Sequence, residues 1–459
     1  MKHRKKLSAF LSAALTLSLC GGVAIATQTA PSSTPVRQAQ LLIAPAPTPQ
    51  ATQDTPQAEN TTDDAASQTS APVTDPEGTV SFCNVAQRVR EGNLTARALG
   101  SSIAAIEALD YEEMSEDIRS GLNQLAQGAF ALYSSPSMLP PDMPPSAVAS
   151  AVASSSVAAN SLQSAYDSLR VQFDAIQDGD LQQENADTVR MLKNTQNQMA
   201  MAGESLYIAL VELQQSNATL QRNLNTLERS LAELDIRYEM GQVSSMTLQE
   251  TQSTKTSLLS TQQTLLSNHT ILTYQLQSML GEELSGQLTL APLPAISQDQ
   301  LASMDLEADL AKAKAASYSL YDAKKALDEA EDTYGRDACR YTENAYPTYK
   351  LEMSYHQLEA AKHTYEAAVQ SFELGLRTLY HQIKDYQQVL NTAKSTLSVK
   401  QSSYAAAQIK YEQGVISKFD LLDAQDAVSA AQDAVDSAAI DLFSTYTNYR
   451  WAVDYGILN

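Results

Sequence analysis

Helix breakers are scarce in this chain of 459 residues, which has 16 glycines and 16 prolines, many of the prolines crowded into two stretches. The long runs between them are rich in Ala, Leu, Gln, Ser and Glu, a composition that favours extended helices over ordinary compact domains. Aromatic content is low at 6%, with a single tryptophan, Trp451, against 21 tyrosines. A compact enzyme core uses more Phe and Trp than this, whereas Tyr suits half-wet seams between long helices. Histidine is equally sparse: His3, His269, His356, His363 and His381. None forms a His-x-x-x-His zinc pair, and His356 and His363 read as solvated helix residues. A Gly-rich phosphate loop, a Gly-x-Ser-x-Gly elbow and a paired-cysteine motif are all lacking, so no enzyme activity, cofactor or metal is expected. Basic residues number 31 against 53 acidic ones, giving a net charge of −22. Such a surface repels phosphates and argues against a nucleic-acid partner.

What is present begins with an export signal. Lys2, Arg4, Lys5 and Lys6 form a basic start, Leu7 to Cys20 an apolar run, and Ala24-Ile25-Ala26 a small-x-small cleavage site. The run is short of the roughly 20 apolar residues that a membrane anchor needs. A second reading takes Leu17-Ser18-Leu19-Cys20 as a lipobox, against which the bulky Leu19 counts. Residues 27–79 are Pro, Thr, Gln, Ser and Ala with almost no large apolar side chain, and read as a disordered tether. It is either a spacer through wall material or a passive leader. Cleavage after Ala26 leaves Cys83 and Cys339, about 45 Å apart along a helical rod, too far for a disulfide within the chain.

The remainder is internally repeated. Arg237-Tyr-Glu-Met-Gly-Gln-Val-Ser-Ser245 matches Lys410-Tyr-Glu-Gln-Gly-Val-Ile-Ser-Lys418, with Tyr238 over Tyr411, Gly241 over Gly414 and Ser244 over Ser417. Tyr274 to Gly281 answers Tyr449 to Gly456. The motif spells a helix-turn-helix corner. Gly414 takes the left-handed conformation that ends a helix, Ser417 caps the next one, and Asp420 completes a capping box, with Ile416 and Leu421 as a hydrophobic staple. Thr247 replaces the acidic box residue in the first repeat, so that corner is the weaker. Leu421, Val428, Val435, Leu442 and Tyr449 recur every seven residues beside Ala424, Ala431, Ala438 and Thr445. Before the corner, Val369, Leu376, Ile383, Leu390, Leu397, Tyr404 and Tyr411 form one stripe, and Leu358, Tyr365, Phe372, Leu379 and Tyr386 its companion. This is a heptad seam. It predicts an all-α fold of two repeats, each a pair of long antiparallel coiled-coil helices. The divisions are a signal peptide at 1–26, a linker at 27–79, repeat 1 at 80–281, a second linker at 282–305 and repeat 2 at 306–459. Apolar residues on several faces favour assembly beyond one chain; a monomeric four-helix bundle is the competing arrangement.

Tyr411-Glu-Gln-Gly-Val-Ile-Ser-Lys-Phe-Asp-Leu-Leu-Asp-Ala-Gln425 and its continuation to Trp451 and Gly456 resemble the signature of the TolC-like outer-membrane efflux family. The likeness extends over residues 80–459. It implies a homotrimer whose two repeats per chain build a twelve-helix tunnel, passing cargo from an inner-membrane pump through a periplasmic adaptor-type (membrane fusion) protein. On that model Tyr238, Gly241 and Ser244, with Tyr411, Gly414 and Ser417, form the adaptor-docking tip. Asp420 and Asp423 match aperture carboxylates, and threefold rings of them would favour cations. The plain alternative makes Asp420 a cap and Asp423 a solvated charge. The resemblance also implies an exported protein of the cell envelope, at the outer membrane.

The departure from the family lies in the barrel. Transmembrane strands need about nine to eleven alternating residues each. Gly335 to Thr348 offers too few residues for two, and includes Arg336, Asp337, Arg340 and Glu343. In repeat 1 the insertion is Pro-rich Ser134 to Pro145 and then Ala147 to Gln177, where Val148 and Val152 are spaced as in a helix. The expected chain is therefore a TolC-like α-tunnel without β-barrel strands. An envelope structural or adaptor-like coiled-coil protein without transport activity is the alternative function.

Overall fold

The computed structural model describes residues 75–76, 78–135, 142–340 and 348–458. The export signal and nearly all of the tether lie outside the described residues. The chain begins with strand β1 (Thr79–Val80), followed by helices α1 (Phe82–Gly92), α2 (Leu94–Glu107), α3 (Tyr111–Ser134), α4 (Pro145–Gln177), α5 (Asp180–Glu239) and α6 (Ser245–Leu280). Strand β2 (Thr289–Leu290) and the short helix α7 (Gln298–Ala302) lead into α8 (Leu306–Ala316), α9 (Tyr318–Arg340), α10 (Thr348–Glu412) and α11 (Lys418–Tyr455). α5 and α10 run to 60 and 65 residues, about 90 and 98 Å at 1.5 Å per residue.

The duplication is visible in three dimensions. α1, α2, α5 and α6 of the first repeat correspond to α8, α9, α10 and α11 of the second. At the end of each last helix a glycine in the left-handed conformation caps the chain and presses on the junction of the two short helices. A Cβ on Gly281 would meet the Gly92 carbonyl oxygen at 2.1 Å, and one on Gly456 would meet the Ser317 backbone at 2.3 Å. The short helices α1 and α8 begin 224 residues apart (Phe82 and Leu306), whereas α6 and α11 begin 173 apart (Ser245 and Lys418). The surplus in repeat 1 is the α3–α4 hairpin, whose two helices pack mainly on one another and meet α5 through α4 and through Tyr111 of α3, whose hydroxyl accepts from Asn185 Nδ2 at 2.9 Å.

Apart from Tyr411 at the corner, the heptad stripes fall on buried or half-buried faces. Phe372, Leu376 and Ile383 of α10 cluster with Leu442 and Tyr449 of α11 as the buried stretch of the seam, which thins to mostly half-buried residues towards the corner, while Leu358 is buried beyond the end of α11. A core of Leu310, Ala313, Leu376, Ile383, Leu442, Tyr449 and Val453 serves repeat 2. Its counterpart in repeat 1 gathers Val80, Val85, Val89, Tyr207, Leu210 and Leu276. β1 and β2 pair in parallel, Thr79 with Thr289, stitching the start of repeat 1 to the inter-repeat segment. Tyr207 fastens both ends of that stitch, its hydroxyl meeting the carbonyls of Val80 (3.1 Å) and Ala291 (2.5 Å).

Among the described residues these two-residue segments are the only strands, and no helix is long and apolar enough to cross a membrane. Within the expected tether, the Asp75 carboxylate accepts hydrogen bonds from the Ser81 amide and hydroxyl and faces Arg88. α9 continues through Gly335 to Arg340, so Gly335 is a helical residue. The four long helices lie in an open row, α6–α5–α11–α10, in which the outer two share no packed interface. The closed monomeric bundle is not formed.

Candidate functional site: the helix corners and the inter-repeat seam

Each corner is set by its own few residues. Gly241 and Gly414 both have φ of +72°, a conformation that costs a residue with a side chain about 1 kcal/mol or more. At the second corner Ser417 Oγ accepts from the Asp420 amide (3.2 Å). Asp420 Oδ2 in return accepts from the Ser417 amide (2.9 Å) and hydroxyl (2.8 Å), the reciprocal capping box read from the sequence. The Ser417 side chain, followed by its backbone N–H, holds the Asp420 carboxyl below the usual carboxylate range. At the first corner Ser244 accepts from the Thr247 amide (3.2 Å) and no box closes. Asp423 is exposed one turn further along α11. Tyr238, Met240 and Met246 stand exposed around one corner, and Tyr411, Val415 and Phe419 around the other. An apolar cluster of this kind on an acidic chain is an unusual surface.

The seam between α5 and α11 joins the two repeats, and its chemistry was missed by sequence reasoning. Two equivalent rungs cross it. Thr219 Oγ1 (3.0 Å) and Arg222 Nε (3.1 Å) donate to the Asp433 carboxylate, and Arg222 also ion-pairs with it. Seven residues on, Thr226 Oγ1 donates to Asp426 Oδ2 (3.0 Å), which ion-pairs with Arg229. The signal was present as Thr-x-x-Arg at 219–222 and again at 226–229, facing Asp426 and Asp433 at the same spacing. Because Arg229 near the end of α5 meets Asp426 near the start of α11, both corners lie at the same end of the row. Further from the corners the seam turns apolar with Ile208, Ile440 and Phe443. It ends in a buried polar contact, where Trp451 Nε1 donates to Glu204 Oε2 at 2.7 Å.

The structure thus gathers Tyr238, Gly241, Ser244, Tyr411, Gly414, Ser417, Asp420 and Asp423 at one end of the molecule. The outer helices of the row expose Leu259 and Leu266 on α6 and Val389 and Val399 on α10. Between α10 and α11 runs an open groove of about 560 Å³ lined by Val389, Thr392, Ala393, Thr396, Ala431 and Ala434. Cys83 and Cys339 are exposed free thiols. Among the described residues no group of three His, Cys, Asp or Glu side chains is placed to hold a metal ion.

Residues 349–442 match the family model described as outer membrane efflux protein, a stretch covering α10, the second corner and α11 as far as Leu442. No curated protein matches the chain. Among solved structures it is similar to a membrane protein from Pseudomonas aeruginosa, with 11% identity and a TM-score of 0.50 over 81% of this chain and 90% of that one. It is also similar to the outer membrane protein VceC from Vibrio cholerae (12% identity, TM-score 0.44, 82% and 96% covered). A third likeness is to the CmeC outer membrane channel of Campylobacter jejuni (11%, 0.47, 63% and 68%). The efflux-protein resemblance read from the second corner stands, and with it the all-α fold.

Proposed function

We propose that this chain, an efflux-protein relative built as an open row of four long helices, is the wall of an export duct in the cell envelope. Three copies close their rows into a twelve-helix tube, and cargo enters at the end where the corners lie. The observation that carries this reading is the exposed apolar side chains on both outer helices of the row, Leu259 and Leu266 on α6 and Val389 and Val399 on α10. Two unlike edges of one protomer make a head-to-tail contact, and such a contact closes into a ring when the rotation permits. The exposed Tyr238 and Tyr411 corners are the surface on which an adaptor-type protein docks, delivering cargo from a membrane pump. Threefold symmetry turns Asp420 and Asp423 into rings of carboxylates at that end, which favour cations over anions. Asp420 keeps its cap in this arrangement, since only one carboxylate oxygen serves it.

The absence of barrel strands among the described residues favours a second reading, a helical envelope rod that binds partners without conducting. Light scattering of the purified protein at several concentrations separates the two. The duct predicts a constant mass three times that of the 49.7 kDa chain, less any cleaved leader. A monomer at every concentration removes the duct.

A further inference from the structure

Trp451 and Glu204 form a contact that belongs to neither the corners nor the edges of the row. Glu204 sits on α5 in repeat 1 with 9% of its surface exposed, and Trp451 on α11 in repeat 2 with 6%. The indole N–H donates to one carboxyl oxygen, and Ala200, Met201 and Ile457 pack around the pair with Ala86 beside them. A buried carboxylate whose one hydrogen-bond donor is neutral is poorly compensated for its lost water.

The nearest cation is Arg90 on α1, and it is engaged elsewhere. Its Nη2 donates to Asn197 Oδ1 at 3.0 Å, and its guanidinium lies 6.0 Å from the Trp451 ring centre and 5.7 Å from that of Tyr455. Other charged groups on the packed elements have neighbours away from the site. On α1, Arg88 goes to Glu282 and Asp75, and Glu91 accepts from Gln87. On α11, Arg450 and Asp454 bind each other and Lys312 of α8 joins Asp454. On α5, Lys193 bonds Glu107 of α2, Asp187 holds Lys325 of α9, and Glu212 faces Asp441 two turns away. On α6, His269 stands opposite Gln214.

We propose that Glu204 is a proton-operated pin in the joint between the two repeats. As a neutral carboxyl it seats beneath Trp451. As a carboxylate it draws the Arg90 guanidinium off the indole and Asn197, and so loosens α1 and α11 from α5. Burial pushes the Glu204 carboxyl up to about 7, with the Trp451 hydrogen bond and the Arg90 charge pulling it back only in part. The switch therefore works near neutral pH.

Trp451 is the only tryptophan, so intrinsic fluorescence reports on this site alone. The purified protein is titrated from pH 5 to 8.5 with excitation selective for indole, and far-UV circular dichroism is followed in parallel. The pin predicts a change in Trp451 emission with a midpoint near neutrality at constant helicity. Glu204→Gln, checked for wild-type helicity, gives a flat trace. Arg90→Gln moves the midpoint upward, because the cation that favours the charged form is gone. A flat wild-type trace overturns the proposal, as does an unchanged titration in Glu204→Gln. If Glu204→Gln does not fold, the Arg90→Gln titration decides, and an unmoved midpoint overturns it.

Discussion

Single side chains fix where this molecule turns and where it is vulnerable. Ser417 supplies the cap that restarts the chain after the second corner, and its box with Asp420 closes in both directions. Ser417→Ala is expected to cost about 1 kcal/mol, read as a lowered urea midpoint, and more than Ser244→Ala, whose corner lacks the reciprocal bond. Asp420, held below the usual carboxylate range, contributes while ionised. Its share is present above the unfolded value and is lost as pH falls through the folded one. Glu204 runs the other way. Its folded value, about 7, lies above the ordinary 4.5, so the native state binds the extra proton between those limits. Its contribution to stability accordingly falls as pH rises from about 4.5 to 7 and is level above. Glu204→Gln should flatten that slope in urea titrations and raise stability at pH 8 by at most about 3 kcal/mol. The same slope in the variant would refute this assignment.

At the scale of elements, the two repeats are held together by few contacts, which makes the α5–α11 seam a sensitive one. The rungs at Asp433 and Asp426 each combine a threonine hydroxyl with an arginine, and the seven-residue spacing sets the stagger of the helices. Both arginines are partly exposed, so each ion pair is worth only about 1 kcal/mol. A double-mutant cycle of Arg222→Ala and Asp433→Ala should return a coupling of that size, whereas Arg222→Ala with Asp426→Ala, which crosses rungs, should be nearly additive. The heptads that predict α10 and α11 are legible because each helix repeats its apolar residue seven positions on. The rungs were not, since Thr, Arg and Asp on a helix surface look the same whether solvated or clasped. Only the stagger of α5 against α11 tells which acidic residue meets which arginine. The α3–α4 hairpin lies between these cases. The helical spacing of α4 was readable, but nothing local shows that the two helices of the hairpin pack mainly on each other.

At the scale of the whole molecule, an open row leaves apolar edges that one chain cannot cover. If rows close head to tail, Leu266→Glu on α6 or Val389→Glu on α10 should convert the assembly to monomers in sedimentation, with circular dichroism unchanged. Combining the two in one chain should give no further loss, since each breaks the same contact. An assembly that survives both substitutions would place the contact elsewhere.

The sequence by itself determined the helices, their two corners and the duplication, because caps, glycine conformations and heptads are local and repeat along the chain. It also determined that the residues available for a barrel are too few or wrongly spaced, which is a matter of length. The tertiary structure alone decided that the four long helices form a row and not a closed bundle, and that Glu204 is buried beneath Trp451. Those outcomes depend on which faces of distant helices meet. The contacts responsible join residues some 200 positions apart, and no local pattern records them.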